Sequence, residues 1–223
     1  MTDWTGYALA DFIPFTAEVY FRMLERINEE TWPLALATLA IGLGILLLCH
    51  RNRGVLGGTL LAAAWAWVGY RFLFAEYARL NWAGGYFGWA FQLQALALLA
   101  IAWTRGLEDT SPERAARGAW PGLAIAGIGL ILYPLIAPLA GNPWSQAELF
   151  GIHPDPTAVV TLGVLAAFGR RARTWVAVPV PVLWCLASGL TLAVLAAPWW
   201  PALLIVPVLA LAAGISRWLR QRA

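Results

Sequence analysis

The chain has 223 residues, 61% hydrophobic and 12% charged, and a mean hydropathy of +0.67 that excludes an ordinary soluble globular domain. Its net charge of +3 rests on 15 basic residues that are all arginine and stand at the ends of apolar runs, an arrangement unsuited to nucleic acid. Without lysine there is no Lys-type phosphate loop, and the isolated Cys49 and Cys185 suggest neither a disulfide framework nor a CxxC site.

The start of the chain lacks the basic end and apolar core of a signal peptide. Residues 16–30 read instead as an amphipathic helix with Thr16 as N-cap. Tyr20, Met23, Leu24 and Ile27 share one face, while Glu18, Arg22, Glu25 and Glu29 share the other. Such a helix either lies flat on a membrane or caps a bundle through protein contacts.

Seven apolar segments follow, at 33–49, 55–75, 82–104, 120–139, 156–173, 176–197 and 199–217. Most approach the roughly 20 residues that a spanning helix needs. Trp32, Trp103, Trp120, Trp144, Trp175, Trp199, Trp200 and Trp218 mark segment ends, as an interfacial belt does. The predicted fold is therefore an all-α integral membrane bundle of about seven transmembrane helices. It forms a single transmembrane domain over 1–223: an amphipathic segment 1–32, a bundle 33–217 and a cytoplasmic tail 218–223. Arg22, Arg26, Arg71 and Arg79 fall on one side and the other 11 arginines on the opposite side. The positive-inside rule makes the second side cytoplasmic, giving N-out, C-in in the cell inner (plasma) membrane. Residues 105–118 are expected to form a solvated cytoplasmic loop.

Along the third segment, Gly84 and Gly88 have the GxxxG spacing that admits a neighbouring helix, whereas Gly54 at a helix end is expected to tolerate a large side chain. Gln92 and Gln94 point to nearly opposite faces, as interhelix glue or, for one of them, toward a site. Arg71 must snorkel outward or pair with Glu76, Glu148 or Asp155. Tyr133-Pro134 and Pro138 break the fourth segment just before the stretch Glu148–Thr157. There Asp155-Pro156 reads as a helix start, with the carboxylate as cap and the proline at the first helical position. The apolar run behind it has only twelve positions before Arg170, Arg171 and Arg173. At about 1.5 Å per residue that falls short of a bilayer, so the His-Pro-Asp-Pro turn is expected to sink toward membrane depth.

The candidate substrate-binding residues are thus His153, Asp155, Glu148, Arg71 and Gln94. Helix capping alone explains His153 and Asp155 equally well. HExxH is absent, and Leu186-Ala187-Ser188-Gly189 misses the GxSxG pattern, so no enzyme and no cofactor are expected; a metal is left open. The topology puts His50 and His153 on opposite sides of the membrane, where they cannot share one ion.

Several stretches together resemble an uncharacterised bacterial family of polytopic membrane proteins, the domain of unknown function number 6064, sometimes labelled permease-like. They are Ile13–Glu18, Trp32-Pro33, Trp67–Tyr70, Asn81 with Phe87-Gly88, Gln94, Phe150-Gly151 to Gly163, and Pro181–Trp184. The family pattern often carries His where this chain has Arg71, and Cys between prolines where it has Asp155. If that pair serves a soft metal, this chain has exchanged it for harder, charged groups. The expected function is a permease or channel for a small solute or ion. The alternative is a structural or assembly subunit of a membrane complex. Expected partners are the lipid bilayer, a small solute or ion, and a homo-oligomer or membrane-complex partner, with no nucleic acid.

Overall fold

A computed structural model describes residues 8–108, 112–169 and 172–222. Among them there is no strand, and each apolar segment forms helix over most of its length. The principal helices are α1 (Ala17–Thr31), α2 (Leu34–His50), α3 (Gly54–Val68), α4 (Gly84–Trp103), α5 (Pro112–Gly127), α6 (Pro154–Phe168), α7 (Pro179–Val194) and α8 (Trp200–Arg222). Two of them do not end where regular winding stops. The chain after α3 runs on through a π-helical stretch, Gly69–Tyr77, and that after α5 through Ile128–Leu132 and the 3-10 turn Tyr133–Leu135.

Four helical stretches, 84–103, 118–139, 174–194 and 200–220, are long and apolar enough to cross a membrane. A fifth joins them if the pair Leu9–Thr31 and Leu34–His50, bent by 88°, counts as one. Leu36, Leu47, Leu93, Leu96, Leu183, Ile205 and Val208 point outward from these helices and are exposed on the isolated chain, a surface suited to lipid rather than water. Trp32, Trp82, Trp103 and Trp144 are exposed as well, near helix ends, and so is Trp120, near the start of the 118–139 stretch.

Helix α1 settles between its two expected positions. Thr16 Oγ1 accepts from Val19 N–H at 3.4 Å, and Tyr20, Met23, Leu24 and Ile27 are all buried against the protein itself. Asn28 Nδ2 donates to the Ser145 and Ala147 carbonyls at 2.7 and 2.8 Å, and Ser145 Oγ donates to Glu25 at 2.9 Å. The helix caps the bundle by protein contacts, with its polar face outward.

Helix α6 is the centre of the molecule. Its hydrophobicity has no preferred side, and all 15 of its residues are buried; an apolar helix without a polar face belongs inside. It packs against α2, α3, α5, α7 and α8. The tightest contact is with α5, where Gly122 and Gly163 oppose each other. A Cβ built on Gly122 would lie 2.6 Å from the Gly163 carbonyl oxygen, and one on Gly163 would lie 2.7 Å from that of Gly122.

Some expectations are corrected. Part of the 105–118 loop is helix, since α5 begins at Pro112; residues 109–111 lie outside the described residues. So do Arg170 and Arg171, and of the Arg173 side chain nothing is described either. Gly54 is not a permissive helix end: a Cβ there would meet the Leu107 carbonyl oxygen at 2.6 Å, because α3 starts directly under the 104–107 turn. Gly84 and Gly88 do face close neighbours, the Ala78 backbone at 2.6 Å and the Phe74 ring at 2.6–2.8 Å.

Candidate functional site

The His-Pro-Asp-Pro turn is built differently from the expected cap. Helix α6 begins at Pro154 with His153 in the N-cap position, so Asp155 lies inside the first turn. Both prolines thus occupy the turn whose N–H groups have no intrahelical acceptor, where their missing donors cost nothing. That releases the Asp155 carboxylate from capping. Its Oδ1 accepts from Trp184 Nε1–H at 2.7 Å, and its Oδ2 accepts from the Ser188 hydroxyl at 2.8 Å and the Tyr133 hydroxyl at 2.9 Å. One buried carboxylate therefore ties α6 to α7 and to the broken end of α5.

His153 is fully buried and packs edge-to-face on Phe72 at 5.7 Å, within the π-helical stretch. Its Nδ1 accepts from Leu149 N–H at 3.0 Å. The neutral ring must then carry its proton on Nε2, and that buried atom has no hydrogen-bond partner among the described residues. Thr157 braces the turn, accepting from Gly151 N–H at 2.9 Å and donating to the His153 carbonyl at 2.7 Å. Glu148, in the loop ahead, is 5% exposed, and its Oε2 is buried without a partner.

A model of the family of unknown function DUF6064 matches residues 17–223. The chain belongs to that family. Neither a curated protein nor a solved structure matches it.

Of the five candidate residues in this DUF6064 protein, His153, Asp155 and Glu148 come together and two stand elsewhere. Arg71 finds partners rather than snorkelling: it pairs with Glu76 at 2.6 Å and with Glu30, and Glu76 is bound in turn by Arg26. Gln94 donates to the Ala177 carbonyl at 2.8 Å, and Gln92 to the Ala66 carbonyl at 3.0 Å, both joining neighbouring segments. Positions 71 and 155, where the resemblance implies His and Cys, share no hydrogen bond. No group of three or more His, Cys, Asp or Glu able to hold a metal occurs among the described residues.

Sequence reasoning missed Tyr133, Trp184 and Ser188 as partners of Asp155, and Tyr20 and Tyr77 beside them. Tyr20, Tyr77, Phe87, Trp184, Ala187, Ser188 and Thr191 line a cavity with about 10 Å³ open to the centre of a water-sized sphere. That is room for one water. The signal for Ser188 was a hydroxyl in an apolar helix, one of two there with Thr191, which in hydrocarbon demands a partner.

Burial sets the protonation of the two groups outside the helices in opposite directions. It pushes the His153 imidazole down to about 3. Burial, and then the neighbouring Asp155, hold the Glu148 carboxyl well above its ordinary value of 4.5. A depressed imidazole contributes stability above its unfolded value of about 6.5, lost as pH falls toward 3. A raised carboxyl contributes stability below 4.5 that is lost as pH rises. Between about pH 4.5 and 6.5 the two slopes oppose each other, each at up to about 1.4 kcal/mol per pH unit. Relative to the parent, Glu148→Gln is expected to melt progressively lower on acidification through that window, and His153→Gln progressively lower on alkalinisation. Melting curves followed by tryptophan fluorescence would check this; parallel pH profiles for all three proteins would contradict it.

Proposed function

We propose that this protein is an integral membrane permease for a small solute, whose site is the buried core around His153, Asp155 and Glu148. One observation carries the reading. These three ionisable groups are at least nine-tenths buried beside two helices that lose regular winding, at Gly69–Tyr77 and Ile128–Leu135. Ionisable side chains inside an apolar bundle are costly and mark functional positions, and irregular backbone at that depth is tolerated where protein or a cavity covers it. Short α6, about 22 Å long, starts below the outer surface and brings its first turn to membrane depth. Broken helices meeting a solute near the midplane are a common transporter arrangement.

The topology assigned to this permease is seven crossing helices, α2 to α8, N-out and C-in in the plasma membrane, with α1 capping the outer face. The 11-to-4 division of arginines supports that orientation. Both irregular stretches and the His153 turn then lie in the outer half. Reporters fused at the C-terminus should report cytoplasm, and one within residues 142–147 the outside.

Transport itself is tested in proteoliposomes, screened with radiolabelled small anions, cations and neutral solutes. Uptake above empty liposomes, reduced at least about tenfold in Asp155→Asn, the size of a lost charge-assisted contact, and reduced also in His153→Gln at equal protein content, is the expected result. No uptake across the panel, with a stoichiometric partner retained on purification from native membranes, would replace the permease with an assembly subunit.

A further inference from the structure

Among the described residues, no arginine pairs with Glu148 or Asp155 at the core. Arg26 and Arg71 are engaged by Glu76 and Glu30, and Arg79 lies 3.6 Å from Glu76. The titratable groups facing Glu148 are Tyr20 from α1, Tyr133 from the end of α5 and Asp155 from α6. Tyr77, from the π-helical stretch, faces Asp155 and Tyr20, while α7 contributes the neutral Trp184 and Ser188 and the Cys185 thiol, which also faces Asp155. His153 is buried as the neutral ring. None of these groups supplies positive charge.

The two carboxylates differ in their hydrogen-bond partners. Asp155 uses both oxygens to accept three hydrogen bonds, which offset part of the cost of burying its anion. Glu148 has a buried Oε2 with no hydrogen bond and an anion for a neighbour. Two ionised carboxylates side by side away from water repel strongly, and one proton relieves the repulsion. Glu148, lacking the donors that hold Asp155 ionised, is where it belongs.

A small hydroxyl-lined cavity adjoins the Asp155 end of the pair. The one-water cavity is lined by the hydroxyl-bearing side chains Tyr20, Tyr77, Ser188 and Thr191, and Ser188 is bonded directly to Asp155. Hydroxyls and water both donate and accept, so together they can relay a proton. Tyr20 connects the two features: its ring lines the cavity, and its phenol sits in the field of both carboxylates.

We propose that Glu148 is a proton-binding site, carrying one proton beside the Asp155 anion, exchanging it through Tyr20 and the hydroxyl-lined cavity, and coupling solute movement to proton movement. The coupling rests on the permease reading; the proton site rests on the geometry alone. Loading forms one O–H bond on the Glu148 carboxylate as one O–H bond of a hydronium ion breaks and leaves water. Unloading is the reverse, breaking the carboxyl O–H and forming a hydronium O–H.

Infrared spectroscopy of the full-length protein tests this through the C=O stretch of a protonated carboxyl. At neutral pH the parent should show the band, shifted in heavy water. The band should be lost in Glu148→Gln, whose amide imitates the protonated acid and keeps the fold. In Asp155→Asn it should persist but titrate at lower pH, because the neighbouring anion is gone. Absence of the band in the parent, or its survival in Glu148→Gln, would overturn the proposal. Solute uptake is measured on the same preparations. Uptake without the band removes the proton site and leaves the permease; the band without uptake does the reverse.

Discussion

Replacing Gly163 by leucine is expected to remove most folded protein from the membrane. The opposed glycines Gly122 and Gly163 bring the α5 and α6 backbones into contact, and a Cβ on either would press on the other's carbonyl oxygen at 2.6–2.7 Å. The obstacle is backbone at the centre of a helix buried on every residue, so no side-chain rotation relieves it. Overpacking a well-filled core costs about 1–3 kcal/mol when neighbours can adjust, so Gly163→Leu should exceed about 3 kcal/mol and Gly163→Ala should fall within that range. Gly127, also on α5, is the control. Nothing lies within 4 Å of its built Cβ, so Gly127→Ala should be neutral or gain a few tenths of a kcal/mol from helix propensity. Expression level and melting temperature in detergent provide the comparison. Equal behaviour of Gly163→Ala and Gly127→Ala would show that α5 and α6 separate freely.

That contact was partly legible. Gly122 and Ala126 on α5, and Gly163 and Ala167 on α6, each have the small-xxx-small spacing that lets helices approach. Gly84 and Gly88 on α4 have the same spacing. Spacing reports that a helix has a close-packing face but not which helix meets it; that choice is tertiary. Helix α1 was legible in more detail, because a 3.6-residue apolar stripe and a Thr cap are local signals. What the local signals could not decide was whether that stripe meets lipid or protein, since both are apolar.

The site was legible as a place but not as a chemistry. His153, Glu148 and Asp155 stand out because ionisable groups are rare in such a chain, and all three are buried. Arg71 stood out for the same reason, yet Glu30, 41 residues away, and Glu76 claim it. Asp155 was read as a cap because Asp before Pro is a strong local pattern. Its actual partners lie 22, 29 and 33 residues away, and no window of sequence brings them together. A long-range demand overrode a local one, and the helix started two residues earlier to allow it.

Asp155 is accordingly the position where a cap and a knot can be told apart. A cap would tolerate Asn fully and lose about 1 kcal/mol in Ala. A knot that gathers the Trp184, Ser188 and Tyr133 donors should behave otherwise. Asn can keep Trp184 on its oxygen and offer its amide N–H to Ser188 or Tyr133, whose hydroxyls can turn to accept. Its cost is then the charge assistance, about 1 kcal/mol. Leucine, of similar size, leaves all three donors without a partner. At about 0.6 kcal/mol for an average interhelix bond in a membrane the loss is about 2 kcal/mol, and at about 1–3 kcal/mol per orphaned buried donor it reaches about 3–9 kcal/mol. Trp184, Ser188 and Tyr133 are all buried and the adjoining cavity admits one water, so the larger range should hold. The expected order of stability is parent, then Asn, then Leu by a wide margin. Adding Ser188→Ala should recover part of the Leu loss by deleting one orphaned donor. If Leu and Asn melt together, the three donors have other acceptors and Asp155 does not hold α5, α6 and α7 to one another.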